Sequence, residues 1–147
     1  MSNLNAKAGE KIALVGVISP QTVTSTEVFS NVVDMSQFHQ VLGTVTLGDM
    51  ANEAIDFTCY TCTSTGGTAV SLKASTQLGA SASANDNKQI MLNVRSEELG
   101  ASAQYIKFGL KTGATVGGMA SVLIQGVDGR FGPESACNLA TVLEVKL

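Results

Sequence analysis

In residues 88–95 (KQIMLNVR), Ile90, Leu92 and Val94 recur at every second position. A period of two marks a strand with one face in a core. The same period returns in 40–47 (QVLGTVTL), with Val41, Gly43, Val45 and Leu47 on one face. In 54–63 (AIDFTCYTCT) Ile55, Phe57, Cys59 and Thr61 alternate with Asp56, Thr58, Tyr60 and Cys62. In 104–110 (QYIKFGL) Ile106, Phe108 and Leu110 alternate with Tyr105, Lys107 and Gly109. The Thr-rich segment 22–29 (TVTSTEVF) is β-prone, and 69–78 (AVSLKASTQL) reads as a strand with Val70 and Leu72 inward. Two more strands are expected at 119–127 (MASVLIQGV) and 139–147 (LATVLEVKL), the last closing the domain.

Turn chemistry separates these runs. Gly48-Asp49, the stretch 64–68 (STGGT), the small polar stretch 79–87, the Gly-rich stretch 112–118 and Asp128-Gly129 all read as turns or loops. Residues 96–99 (SEEL) suit a single helical turn capped by Ser96, with Glu97 and Glu98 at its favoured end. No segment keeps a 3.6-residue period for three turns. The expected fold is therefore all-β: an antiparallel β-sandwich of about eight strands, jelly-roll or immunoglobulin-like. Residues 11–18 (KIALVGVI) are apolar and β-branched, and Pro20 then interrupts them. That run suits a strand of the domain or an extended arm lying on a neighbouring subunit equally well. The expected organisation is an N-terminal arm over 1–20 and one sandwich domain over 21–147.

Composition narrows the function. Of 147 residues only 14% are charged, against about 25% in an average domain. Buried charge is costly, so a surface this poor in charge suits one that partners cover. The 9 basic residues are scattered, which argues against nucleic-acid binding, and 5% aromatic content leaves little for stacking bases or sugars. Residues 1–10 hold no apolar stretch, so no secretory signal is expected, and the run 12–18 is too short to span a membrane. The thiols are expected to be reduced in the cytoplasm where the chain is made.

Reactive side chains are few. His39 is the sole histidine, so any Ser-His-Asp hydrolase would depend on it. No nucleophile-elbow pattern surrounds it, and a histidine at a strand end accounts for it better. Cys59 and Cys62 have CxxC spacing, and with Cys137 and His39 they could supply four zinc ligands by arithmetic. Residues three apart on a strand face opposite ways, however, which separates the two sulfurs. Asp49, Glu53 and Asp56 lack EF-hand spacing, and the Gly-Gly pairs lack the Lys-Ser/Thr of a phosphate loop. No enzyme activity, cofactor, metal or small-molecule substrate is expected.

Three stretches carry a resemblance. Residues 33–40 (VDMSQFHQ) resemble a "DMSxFHR" segment that leads into a strand in a group of small tailed-phage proteins. Residues 85–99 (NDNKQIMLNVRSEEL) resemble their "DDNKQ…VRAEEL", and 127–133 (VDGRFGP) resemble their closing "xxARYGP". Order and spacing agree from about residue 32 to the end. This chain departs in carrying Gln40 where Arg is frequent, and in its cysteine pair. The resemblance implies a virion structural role, with a head decoration or cement protein as the more specific expectation. A tail or head–tail junction protein is the alternative, and a host-glycan-binding module a more distant one. The implied partners are the major capsid protein and further copies of this chain, as trimers at local threefold positions. The expected location is the capsid surface. The residues expected to make contacts are Ile12, Leu14 and Val15 in the arm, Asp34, Phe38 and His39 in one loop, and Arg95, Arg130 and Phe131. The two phenylalanines suit anchors into their own core better than contact hot spots.

Overall fold

The computed structural model describes residues 5–51, 53–75, 85–113, 117–131 and 137–146. Nine strands form among them: β1 (Ile12–Val23), β2 (Val28–Phe29), β3 (Val33–Asp34), β4 (Phe38–Leu47), β5 (Ile55–Cys62), β6 (Val70–Ala74), β7 (Gln89–Arg95), β8 (Tyr105–Thr112) and β9 (Gly118–Gly129). All pair antiparallel, in two sheets. One sheet runs β1-β9-β4-β7. The other runs β2-β8-β5-β6, with β3 also on β8. The sandwich expected from the alternation is thus the observed architecture.

β2 and β3 share one edge of β8, with Val28 opposite Leu110 and Val33 opposite Ile106. They are two halves of a single interrupted edge strand. At the break Ser30 N–H donates to Phe108 O (2.9 Å), and Phe108 N–H donates to the Ser30 hydroxyl (3.0 Å). A side chain thus completes the ladder where the backbone cannot. With β2 and β3 counted as one, every connection crosses to the other sheet except the β5–β6 hairpin. The first and last strands lie side by side. That is the jelly-roll arrangement, which resolves the choice that the pattern left open.

The alternation predicts the core well. Val41, Val45 and Leu47 of β4, Leu92 and Val94 of β7, and Val122 and Ile124 of β9 are buried against Ile55, Phe57 and Cys59 of β5 and Ile106, Phe108 and Leu110 of β8. The rings of Phe57 and Phe108 stack at 5.3 Å across the middle. Lys73 ties the open side together: its ammonium donates to Asn93 O (2.9 Å) and pairs with Glu98 (2.7 Å).

Several expectations need correction. Residues 12–20 are no arm. They begin β1, which pairs along its length with β9, so the sandwich starts at Ile12 rather than at residue 21. Pro20 falls in a register shift between Ile18 and Gln21 on this edge strand, where a missing N–H breaks no ladder bond. The predicted strand over 22–29 is divided between the end of β1 and the two residues of β2. Val70 is exposed rather than inward, while Leu72 packs against the core. Residues 139–146 form no strand. Their start lies beside β1, where Leu14 N–H donates to Asn138 Oδ1 (2.7 Å) and Leu139 N–H donates to Leu14 O (2.8 Å). A turn then follows, with Val142 N–H on Leu139 O (3.0 Å). Ser96–Glu98 is the expected helical turn, of 3-10 type, but Ser96 does not cap it; Arg95 holds the cap position without a side-chain bond. The predicted loop 79–87 lies mostly outside the described residues, as do residues 114–116 of the loop 112–118.

Candidate interaction site

The strand register brings parts of the three resembling stretches, 37–40, 95–97 and 127–130, to one end of the β1-β9-β4-β7 sheet, while 85–89 lies at the opposite end, where Asn87 N–H donates to Gly48 O (3.0 Å). At the first of these ends β4 begins, between the ends of β7 and β9: Gln40 lies opposite Arg95 on one side and Val127 on the other, and Phe38 lies opposite Gly129. Arg130 N–H then donates to Gln37 O (2.8 Å), closing the chain after β9 onto the loop before β4. Between these strand ends is an open polar notch lined by His39, Gln40, Arg95, Ser96, Glu97 and Asp128.

Each wall of the notch is held locally. Gln40 Nε2 donates to Asp128 Oδ2 (2.6 Å). Asp128 sits at φ 53°, a left-handed conformation that Asp tolerates better than most residues with a side chain. Arg130 donates to the Ser96 hydroxyl (2.9 Å). Arg95 pairs with Glu97 at 3.1 Å, but the two side chains are 61% and 72% exposed. Such a pair contributes little by itself, so both groups can re-pair with an incoming surface at small cost. His39 is exposed at the rim. With one guanidinium, two carboxylates and an imidazole in its walls, and Arg130 bonded to Ser96 beside it, the notch suits hydrogen bonding and ion pairing across an interface.

The other expected contact residues divide clearly. Ile12 and Leu14 are half-buried on the outer face of β1. Val15 and Phe38 are buried and cannot meet a partner. Phe38 is an anchor, as its character suggested; its ring fills the space that a side chain at Gly126 would need. Phe131 is the opposite case, 73% exposed and no anchor. Asp34 is committed to its own loop, accepting from Ser36 N–H (2.9 Å) and Gln104 Nε2 (3.0 Å). Partial burial pushes its carboxyl up, but these bonds outweigh burial and hold it below its ordinary value. Sequence reasoning missed Gln40, Ser96, Glu97 and Asp128 as lining. The resemblance ran through all four, but only the strand order puts them together.

The cysteines lie as their strand positions predict. Cys59 and Cys62 are both buried on β5, three residues apart and on opposite faces. Burial pushes the Cys59 thiol up to about 12, far from a reactive thiolate. Cys137 packs against the edge of the core.

No family model matches this chain, and no curated protein is similar to it. Among solved structures it is similar to the K3 cleaved adhesin domain of Lys-gingipain from Porphyromonas gingivalis, with a TM-score of 0.45 and 11% identity, over 68% of this chain and 63% of that one. It is similar to a Bacillus endospore appendage described as a disulfide-linked pilus, with a TM-score of 0.42 and 14% identity, over 86% and 99% of the two chains. It is also similar to a protein of infectious bursal disease virus, with a TM-score of 0.45 and 10% identity, over 84% of this chain and 33% of that one. This chain therefore spans less than two thirds of the adhesin domain and a third of the viral protein. None of the three likenesses carries weight for what this chain does.

Proposed function

We propose that this chain is a non-enzymatic structural protein of a tailed-phage virion, acting as a decoration or cement subunit on the head. It stabilises the shell through contacts with the major capsid protein and with copies of itself. The observation that carries the reading is the meeting of 37–40, 95–97 and 127–130, one part of each resembling stretch, at one exposed end of a sheet. Stretches far apart in sequence that resemble one protein group would share such a place if it were a common contact surface. The shortage of charge and the inert, buried Cys59 fit the same role. Major capsid protein is the partner for the notch, with Arg95 and Arg130 leaving their weak internal bonds for acceptors on the shell.

Co-sedimentation with phage heads that lack this chain tests the proposal. The purified protein is expected to pellet with heads, and the double substitution Arg95→Glu, Arg130→Glu to weaken binding at least about tenfold, equivalent to about 1.4 kcal/mol. Protein that ignores heads and binds purified tails instead would move it to the tail. Binding to neither would end the virion reading.

A further inference from the structure

The two outer faces of the sandwich differ in chemistry. Outside the β5–β8 sheet stand Asp56, Lys107 and Lys111, with Glu27 accepting from the Tyr60 hydroxyl. The outward positions of the β1-β9-β4-β7 sheet carry one charge, Arg95, at a corner. The rest of that face is polar-neutral or apolar. Val17, Leu123, Thr44 and Met91 form one row across the four strands, and Leu14, Gln125, Leu42 and Asn93 form the next. Met119 and Leu123 are 47% and 39% exposed, and Met91 is 65% exposed. An antiparallel sheet with water on one face normally alternates apolar inside with polar outside. Here the outward face instead mixes large apolar residues, Met91, Met119 and Leu123 the most exposed, with neutral polar ones.

We propose that this face packs against the same face of a second copy of this chain, which deepens the structural reading above and rests on it for its place in assembly. Side-by-side growth is blocked at the β1 edge: Leu14 N–H and C=O are taken by Asn138 and Leu139, and Val17 N–H by Asn31 Oδ1 (3.2 Å). Stacking of faces remains open. The face has no charge pattern by which to select a foreign partner, and it meets a copy of itself without repulsion. A two-fold axis in the plane of contact that runs along or across the strands keeps the two Arg95 side chains apart, because each stands at a corner. Strand spacing and rise give the face an area of about 500–600 Å² per copy. Specific interfaces begin near about 600 Å² per partner, so the pair is weak and reversible. A single flat face of this kind makes a pair rather than the trimer expected from capsid threefold positions.

Sedimentation equilibrium of the full chain over about 1 to 500 μM, a range bracketing weak association, is the test. The expected result is a monomer–dimer equilibrium that Leu123→Glu weakens at least tenfold. Met91→Glu provides the same test at a position open enough to spare the fold. Val70→Glu makes the same chemical change at an exposed apolar residue of the other sheet and is expected to leave association unchanged. A strict monomer, a trimer, or a dimer indifferent to Leu123→Glu and Met91→Glu would overturn the pairing. Head binding by a protein that never self-associates would overturn this inference and leave the virion reading standing; the reverse result would do the opposite.

Discussion

Single residues decide how closely the two sheets approach. Gly43 lies in mid-strand on β4, facing the Phe57–Phe108 stack. A Cβ there would lie 2.8 Å from Phe108 Cε1 and 3.0 Å from Phe57 Cζ. Both rings are fully buried and have nowhere to retreat. Gly43→Ala is therefore expected to destabilise the fold by about 1–3 kcal/mol despite the better strand propensity of alanine, measured by urea unfolding. Outside the other sheet, Gly109 leaves room for Glu27 to cross β8 and accept the Tyr60 hydroxyl at 2.6 Å. Burial first, and then this carboxylate, push the phenol from 10.0 up to about 12. A raised folded pKa favours the neutral phenol. Its stabilisation is complete below pH 10 and is lost as pH rises from 10 to about 12. Tyr60→Phe is expected to cost about 1 kcal/mol at neutral pH. Against wild type, the variant should lose less stability across that alkaline window. An unchanged difference between the two proteins from pH 8 to 12 would contradict this account of the Tyr60–Glu27 bond.

At the scale of elements, legibility followed one-sidedness. β4, β5, β7 and β8 each bury one face and show the other to water or polar neighbours, so their alternation announced both strand and core. β1 did not announce itself. Ile12, Ala13, Leu14 and Val15 are apolar in succession, because the outward side of this strand is apolar too over Ile12 and Leu14 and a bulge at Val15 breaks the period. Pro20 then read as the end of an arm, whereas it sits in a second register shift of the same strand. The terminal run 139–147 alternates well enough to look like a strand. Yet β1's open edge takes up only Asn138 and Leu139, and the chain turns away. The consequence is sharp for truncation. Removing residues 1–11 is expected to leave a folded sandwich. Removing 1–20 deletes most of β1, strips the cover from β9, and is expected to abolish cooperative unfolding by circular dichroism. A folded 21–147 fragment would restore the arm.

For the whole molecule, sandwich architecture was legible because many short one-faced strands with turn signals have few other solutions. The strand order was not, since pairing across sheets depends on contacts far apart in sequence. Neither, therefore, was the place where 37–40, 95–97 and 127–130 meet. The sequence singled out His39, Arg95 and Arg130 one at a time as expected contact residues, and the jelly-roll order puts His39 and Arg95 in one notch with Arg130 bonded to its wall. It also removed Val15, Phe38 and Asp34 from that surface, two by burial and one by its bonds to its own loop.

The central proposal is that this body works by covering and holding other proteins. Electron cryo-microscopy of phage heads assembled with and without this chain tests it most directly. The account predicts added jelly-roll density on the shell, with the His39, Arg95 and Arg130 end against the capsid protein. Heads identical in the two preparations would contradict it.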